Sequence, residues 1–307
     1  AIYNMNKVKV GAMALDADYI PEVKLTNDIQ GQTLTMMYDM RGFGLTGDQT
    51  YYAKANESTK KLNDSLNAIE DLANKSMRLV KLKAVIPDLN KLMAEYEKAS
   101  EETFALDQGM DADYAKLVEA VVIFSKSAGD FLETQYTAYA KEANEGAEGA
   151  KLAERVQKIR DLNEAIKLTD EIRVANFKAQ SLRDPSIVEE KIGNFEKIEA
   201  KLDAIRKVTR QEANLKQLDE IEKSVQMYSQ YMSEYFEKWV KLTAANAKRT
   251  EIGNKFLQLV DATNAAGISQ AVEISDNSTK DLQNTIQTIV WGVIAAVIIS
   301  IEVDHPC

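Results

Sequence analysis

Arginine and tyrosine, not histidine or cysteine, supply the chemistry open to this chain. Its single His and single Cys, His305 and Cys307, sit at the C-terminal end. That placement excludes a disulfide framework, a Cys/His zinc site and histidine-based catalysis in the body of the protein. The acidic pairs Glu101-Glu102 and Glu189-Glu190 are sequence neighbours. On a helix such neighbours point apart, so they read as solvated faces rather than a catalytic dyad. No glycine-rich phosphate loop or nucleophile elbow is present. An enzyme, a cofactor and a metal centre are therefore not expected. What remains is anion recognition, because a guanidinium offers a planar fork to a carboxylate. Arg41 is the first candidate, on one helical stripe with Met37 and Tyr38, and Arg183 is its rough counterpart further along. Arg173, Lys248 and Arg249 follow, with Tyr38, Tyr228, Tyr231 and Tyr235 as hydroxyl donors or core residues. Met36, Met37 and Met40 read as packing. The net charge of −10 disfavours a nucleic-acid partner.

The elements that must position these residues are helical. Only 13 Gly and 4 Pro interrupt 307 residues. No segment shows strand-like alternation bounded by turn residues. The first helix is expected from about Ile2 to Gly42, bent at Pro21. The second runs from about Asp48 to Ser76, and the segment Val80 to Pro87 breaks it. The third runs from about Pro87 to Asn144 with a seam at Met110, Tyr114, Leu117, Val121, Phe124, Ala128 and Phe131. Gly146 and Gly149 mark a loop. The fourth runs from about Ala150 to Arg183, and Asp184-Pro185 ends it. The fifth runs from about Pro185 to Val208. The sixth starts near Gln211, with a three-four alternation through Leu218, Ile221, Val225, Tyr228, Met232, Tyr235, Trp239 and Leu242.

Six helices, two long and four short, predict an all-α fold of two stacked four-helix bundles. One bundle takes residues 1–85, the first half of 87–144 and the last half of 211–285. The other takes about 115–245. Arg249 and Lys248 fall at the height where the two should meet. An internal repeat supports this plan. Leu25-Thr26-Asn27-Asp28-Ile29 resembles Leu168-Thr169-Asp170-Glu171-Ile172. Lys61 to Ile69 resembles Lys197 to Ile205, and Leu89-Asn90-Lys91-Leu92 resembles Leu218-Asp219-Glu220-Ile221. The offset shrinks by about one heptad at each step.

From Ile289 the sequence reads IVWGVIAAVIISI and then breaks into Glu302-Val303-Asp304-His305-Pro306-Cys307. A membrane-spanning helix needs about 20 apolar residues. Residues 286–301 are read as the cut start of a transmembrane helix, with Trp291 as an interfacial anchor. Residues 302–307 are read as a non-native tail. A buried core helix is the other reading of the same run.

These pieces resemble the sensor region of a bacterial methyl-accepting chemotaxis protein. Ala12-Met13-Ala14-Leu15-Asp16-Ala17-Asp18-Tyr19-Ile20-Pro21 is similar to the stretch after the first transmembrane helix in that family. Arg41-Gly42-Phe43-Gly44-Leu45-Thr46-Gly47-Asp48 resembles the junction between the first two sensor helices. The six-helix plan over 1–285 resembles a helical bimodular sensor domain. The resemblance implies a periplasmic, homodimeric ligand sensor anchored in the bacterial inner membrane. It also implies that small molecules, often organic acids, bind between the helices, directly or through a periplasmic binding protein. On that reading Arg41, Tyr38, Arg183, Arg173, Arg249 and Tyr235 are the candidate ligand-binding residues. The sensor region of a histidine kinase, or a structural or secreted helical bundle, fits the same sequence.

Overall fold

The computed structural model describes the backbone of residues 2–303 and the side chains of residues 2–298. The described residues contain helices and connecting turns and no strand. The elements are α1 (Ile2–Ala14), a π turn (Leu15–Tyr19), α2 (Ile20–Thr46), α3 (Gln49–Lys75) and α4 (Val80–Asn144). They are followed by α5 (Gly149–Leu182), α6 (Ser186–Ile192), α7 (Asn194–Val208) and α8 (Glu212–Val303).

Local chemistry sets the ends. Gly47 takes the left-handed conformation at φ 67° and its N–H returns to the Phe43 carbonyl, which closes α2. Asp48 then caps α3, accepting from the Thr50 amide at 2.8 Å. Ser76 Oγ accepts from the Arg78 amide in the turn before α4. Two expected boundaries differ. Helix α4 begins at Val80, not Pro87, and carries Pro87 inside its early turns. Burial of Leu82 and Ile86 offsets the hydrogen bond that proline cannot make. The expected bend at Pro21 is preceded by the π turn, which puts one extra residue into the helix. The expected fifth helix is divided at Gly193 into α6 and α7.

The chain separates into two compact units, each with its own core. Unit 1 is 1–101 with 245–307, and unit 2 is 102–244. In unit 1, Ile29, Met36 and Phe43 of α2 are buried, as are Leu62 and Ile69 of α3. Leu89 and Met93 of α4 and Ile252, Phe256 and Val260 of α8 are buried with them. In unit 2, Leu117, Phe124 and Phe131 of α4 join Leu162 and Ile172 of α5 in one cluster. Phe195, Ile198 and Leu202 of α7 and Leu218, Ile221, Val225 and Tyr228 of α8 complete it.

The expected placement of this chain in an inner membrane is not met. Among the described residues no helix is long and apolar enough to cross a membrane. The described part of the terminal apolar run falls short of the about 20 residues required. Lys280, Asp281, Gln283, Asn284 and Gln287 precede it in the same helix. Side chains from residue 299 onward, including His305 and Cys307 of the expected tail, lie outside the described residues.

Candidate functional site

The last helix of unit 1 runs against α2 with its glycines and polar residues at the contact. Contacts pair residues in opposite order along the two helices. A Cβ on Gly44 would come within 3.0 Å of Asn246 Oδ1, and one on Gly253 within 2.9 Å of Met37 Sδ. Between them, Arg249 Nη2 donates to the Met40 carbonyl at 3.0 Å. Arg249 is 4% exposed, so nearly its whole guanidinium is inside the unit. Burying a cation is costly unless it is paired and hydrogen-bonded.

Helix α4 supplies the neighbour. Tyr96 is buried and would lie 3.1 Å from a Cβ on Gly253. Its hydroxyl is pushed up to about 12 by burial, opposed first by the charge and hydrogen bond of Arg249 and then by the charge of Arg41. Burial in turn pushes Arg249 down, and Tyr96 opposes that shift. Arg41 itself is exposed. The charges of two of the sequence candidates, Arg249 and Arg41, thus both act on one tyrosine. Asn246 lies one turn before Arg249 on the same face, and its Oδ1 is buried without a hydrogen-bond partner. Chemically, this is a fixed buried donor with a second cation beside it and an acceptor left to satisfy.

The other candidates lie elsewhere. Tyr38 is 69% exposed on the outer side of α2. Lys248 is exposed. In unit 2, Arg173 is partly exposed and pairs with Asp170 at 2.9 Å, and its charge reaches the buried Tyr228 hydroxyl. Tyr235 packs against the rings of Tyr114 and Trp239 at 6.4 and 6.1 Å. Burial pushes its hydroxyl up to about 12, with Tyr114, Asp111 and Asp107 adding to the shift. Arg183 ends α5 in the left-handed region at φ 55° and is exposed. The space beside Tyr228, lined by Phe124, Thr169, Phe195 and Ser224, is about 200 Å³ and too narrow for a water. Ligand pockets measure about 300–1,000 Å³, so this is a packing gap.

No protein-family model matches the chain, and no curated protein is significantly similar to it. The site therefore rests on its own geometry.

Three groups were not visible in the sequence as site residues. Tyr96 is one of several aromatics on a long amphipathic helix and carries no marker that sets it apart. Arg155 binds Glu142 through Nε and Nη2 at 3.2 and 3.0 Å and Gln135 Oε1 through Nη1 at 2.8 Å. Arg155 and Glu142 stand within two helical turns on either side of the Gly146–Gly149 loop, and that placement was the available signal. Glu22 is 3% exposed, and its Oε2 has no hydrogen-bond partner. An acid at a core position of the apolar stripe was the available signal there. Among the described residues no group of His, Cys, Asp and Glu could hold a metal ion.

Proposed function

We propose that unit 1 senses small organic anions, most simply carboxylates, with Arg249 as the anchoring donor. The observation that carries this reading is a guanidinium buried between α2, α4 and α8, with Tyr96 and Arg41 beside it. A protein seldom keeps a cation in a helical core for stability, since an apolar side chain of equal volume does as well or better. A carboxylate arriving there gains a charge-assisted bidentate contact in a desolvated setting. Asn246 Oδ1 is positioned to accept from a hydroxyl or ammonium on the same molecule.

In this reading the chain is a sensor module of the chemoreceptor type, and it is not an enzyme. Each unit is read as a four-helix bundle, and the stacking expected from the sequence belongs to this proposal. Ligand contacts that differ between two helix arrangements bias α8 by about 1–2 Å relative to α2. A homodimer is the working form. Ile20, Leu34, Tyr38 and Leu45 are exposed along one stripe of α2 and offer it a surface.

Thermal-shift screening with organic acids, amino acids, amines and aromatic acids tests the proposal. A ligand at about 100 times its Kd stabilises the protein by about 2.7 kcal/mol. The expected result is a shift for at least one carboxylate that disappears in Arg249→Met. A carboxylate shift that survives that change moves the site elsewhere. The absence of any carboxylate shift removes the reading.

A further inference from the structure

We infer that Glu22 and the π turn before it form a proton-operated latch between α2 and α8 in unit 1. The latch is a regulatory device separate from the anion site, and it stands whether or not that site binds carboxylates.

Four observations carry it. First, Glu22 is 3% exposed, and its Oε2 is buried with no hydrogen-bond partner. An ionised carboxylate left that way is under strong pressure either to take a proton or to find water. Second, the cation whose charge acts on the adjoining Tyr19 is paired with another acid. Arg78, from the turn between α3 and α4, donates through Nη1 to Asp18 Oδ2 at 2.7 Å. Asp18 is itself buried, one turn before Glu22.

Third, α8 closes directly over the carboxyl at a glycine. A Cβ on Gly267 would lie 3.2 Å from Glu22 Cδ and Oε2 and 3.4 Å from Val23 Cγ2. The two helices are then tied in register just beyond this point. Thr26 Oγ1 donates to Asn264 Oδ1 at 3.0 Å, Asn264 Nδ2 to Asn27 Oδ1 at 2.8 Å, and Gln30 Nε2 to Asp261 Oδ1 at 2.7 Å. Fourth, Leu15–Tyr19 is wound as a π turn, with the Ile20 amide returning to the Leu15 carbonyl. A π turn holds one extra residue, and returning it to α geometry rotates what lies before it against what lies after.

The groups facing Glu22 come from every element around it. Asp18 and Tyr19 are on its own helix, Arg78 is on the link, and Glu273 is on α8, where its charge acts on Tyr19 together with Asp18, Glu22 and Arg78. Three of the four charges, counting Glu22 itself, are negative. Burial first and Asp18 second push the Glu22 carboxyl up to about 7.

In a locally opened state Glu22 meets water and titrates near the usual about 4.3. The closed state binds the proton more tightly, so closure is strongest below that value and weakens as pH rises toward about 7. Protonation removes the buried charge and holds α8 on α2. Deprotonation favours rewinding of the π turn or withdrawal of α8, which brings the carboxylate to water.

Hydrogen–deuterium exchange across pH 5 to 8, corrected for intrinsic rates, tests the latch in the full chain. Protection of Leu15–Thr26 and of the α8 turn around Gly267 should fall by up to about tenfold per pH unit toward pH 7. Glu22→Gln should hold protection high and flat, while the amides of α5 and α7 show no matching change. Flat protection in the parent protein, or a surviving slope in Glu22→Gln, overturns the proposal. If Glu22→Gln does not fold, NMR titration of the Glu22 carboxyl in the parent protein decides. A midpoint near 7 that falls in Asp18→Asn supports the latch, and a midpoint below about 5 ends it.

Discussion

Replacing Arg249 separates a cation kept for a ligand from one kept for the fold. Arg249→Ala removes a long buried side chain and leaves the Tyr96 hydroxyl without its donor. The unsatisfied hydroxyl costs about 1–3 kcal/mol, and the cavity brings the total to about 3–5 kcal/mol. At about 2–4 °C per kcal/mol for a chain of this size, the melting temperature falls by roughly 6–20 °C. Arg249→Met keeps most of the volume and removes the desolvated charge. Paired with Tyr96→Phe, it also removes the hydroxyl that loss of Arg249 would leave unpaired. The double variant should therefore be as stable as the parent or up to about 3 kcal/mol more stable, since apolar replacement of a buried ionic group is often neutral or stabilising. Both variants should lose the carboxylate-induced shift. Thermal unfolding with and without ligand measures all of this. If Arg249→Met with Tyr96→Phe is destabilised as much as Arg249→Ala, the guanidinium is holding the helices together and the argument for a ligand fails.

Four further outcomes follow from the geometry. Glu142 is held down to about 2, chiefly by its hydrogen bonds with Arg155. Its contribution to unit 2 is present above the unfolded value near 4.5 and is lost as pH falls toward 2, so exchange protection in α5 should drop with acid and Arg155→Ala should flatten that response. Arg183→Gly should stabilise the protein by about 1 kcal/mol in thermal unfolding, because glycine accepts the φ 55° conformation without a Cβ penalty. Gly253→Val should cost about 1–3 kcal/mol by displacing Met37 and Tyr96, and should abolish any carboxylate shift with them. Phe131→Ala, at a fully buried site, should cost about 3–5 kcal/mol and raise exchange in α5 and α7 more than in α3.

Much of the fold could be read because apolar spacing reports on burial. Phe124, Phe131, Leu218, Ile221, Val225 and Met232 were expected on seams by three-four spacing, and all are buried in unit 2. The same spacing ran one step wide at Tyr114, which is 36% exposed, since an amphipathic tyrosine satisfies the pattern from the rim. Pro87 was read as a boundary from a local rule, and the apolar contacts of Leu82 and Ile86 overrode it. The π turn left no trace in the sequence, because one added residue looks the same as ordinary drift in a helical stripe. Among the site residues, Arg249 was legible as a cation but not as a buried one. Its neighbours in sequence, Lys248 and Thr250, are exposed, and only the position of α2 and α4 around it makes the difference. Tyr38 and Met37 shared a stripe on paper, yet a single step around the helix puts one outside and the other against Gly253.

The contact between α2 and α8 differs in kind from the core of unit 2, and that difference bears on function. Phe, Leu and Ile from four elements fill the unit 2 core. Sliding or rotating such interdigitated side chains forfeits packing at every layer. The α2–α8 contact instead sets glycines and polar groups among its apolar residues: Asn246 at Gly44, Arg249 at the Met40 carbonyl, Met37 at Gly253, Gln30 at Asp261, Thr26 at Asn264 and Glu22 at Gly267. Glycine lets two backbones approach without interlocking, and hydrogen bonds can be exchanged for others at small net cost because each contributes only about 0.5–1.5 kcal/mol. Arg249 and Glu22 lie on this one contact with opposite charge, and neither is needed for burial of apolar surface. On the two proposals made above, an anion would act on the first and a proton on the second. Each adds or removes charge where α8 meets α2, so each can bias the same helix pair between two registers separated by a few kcal/mol.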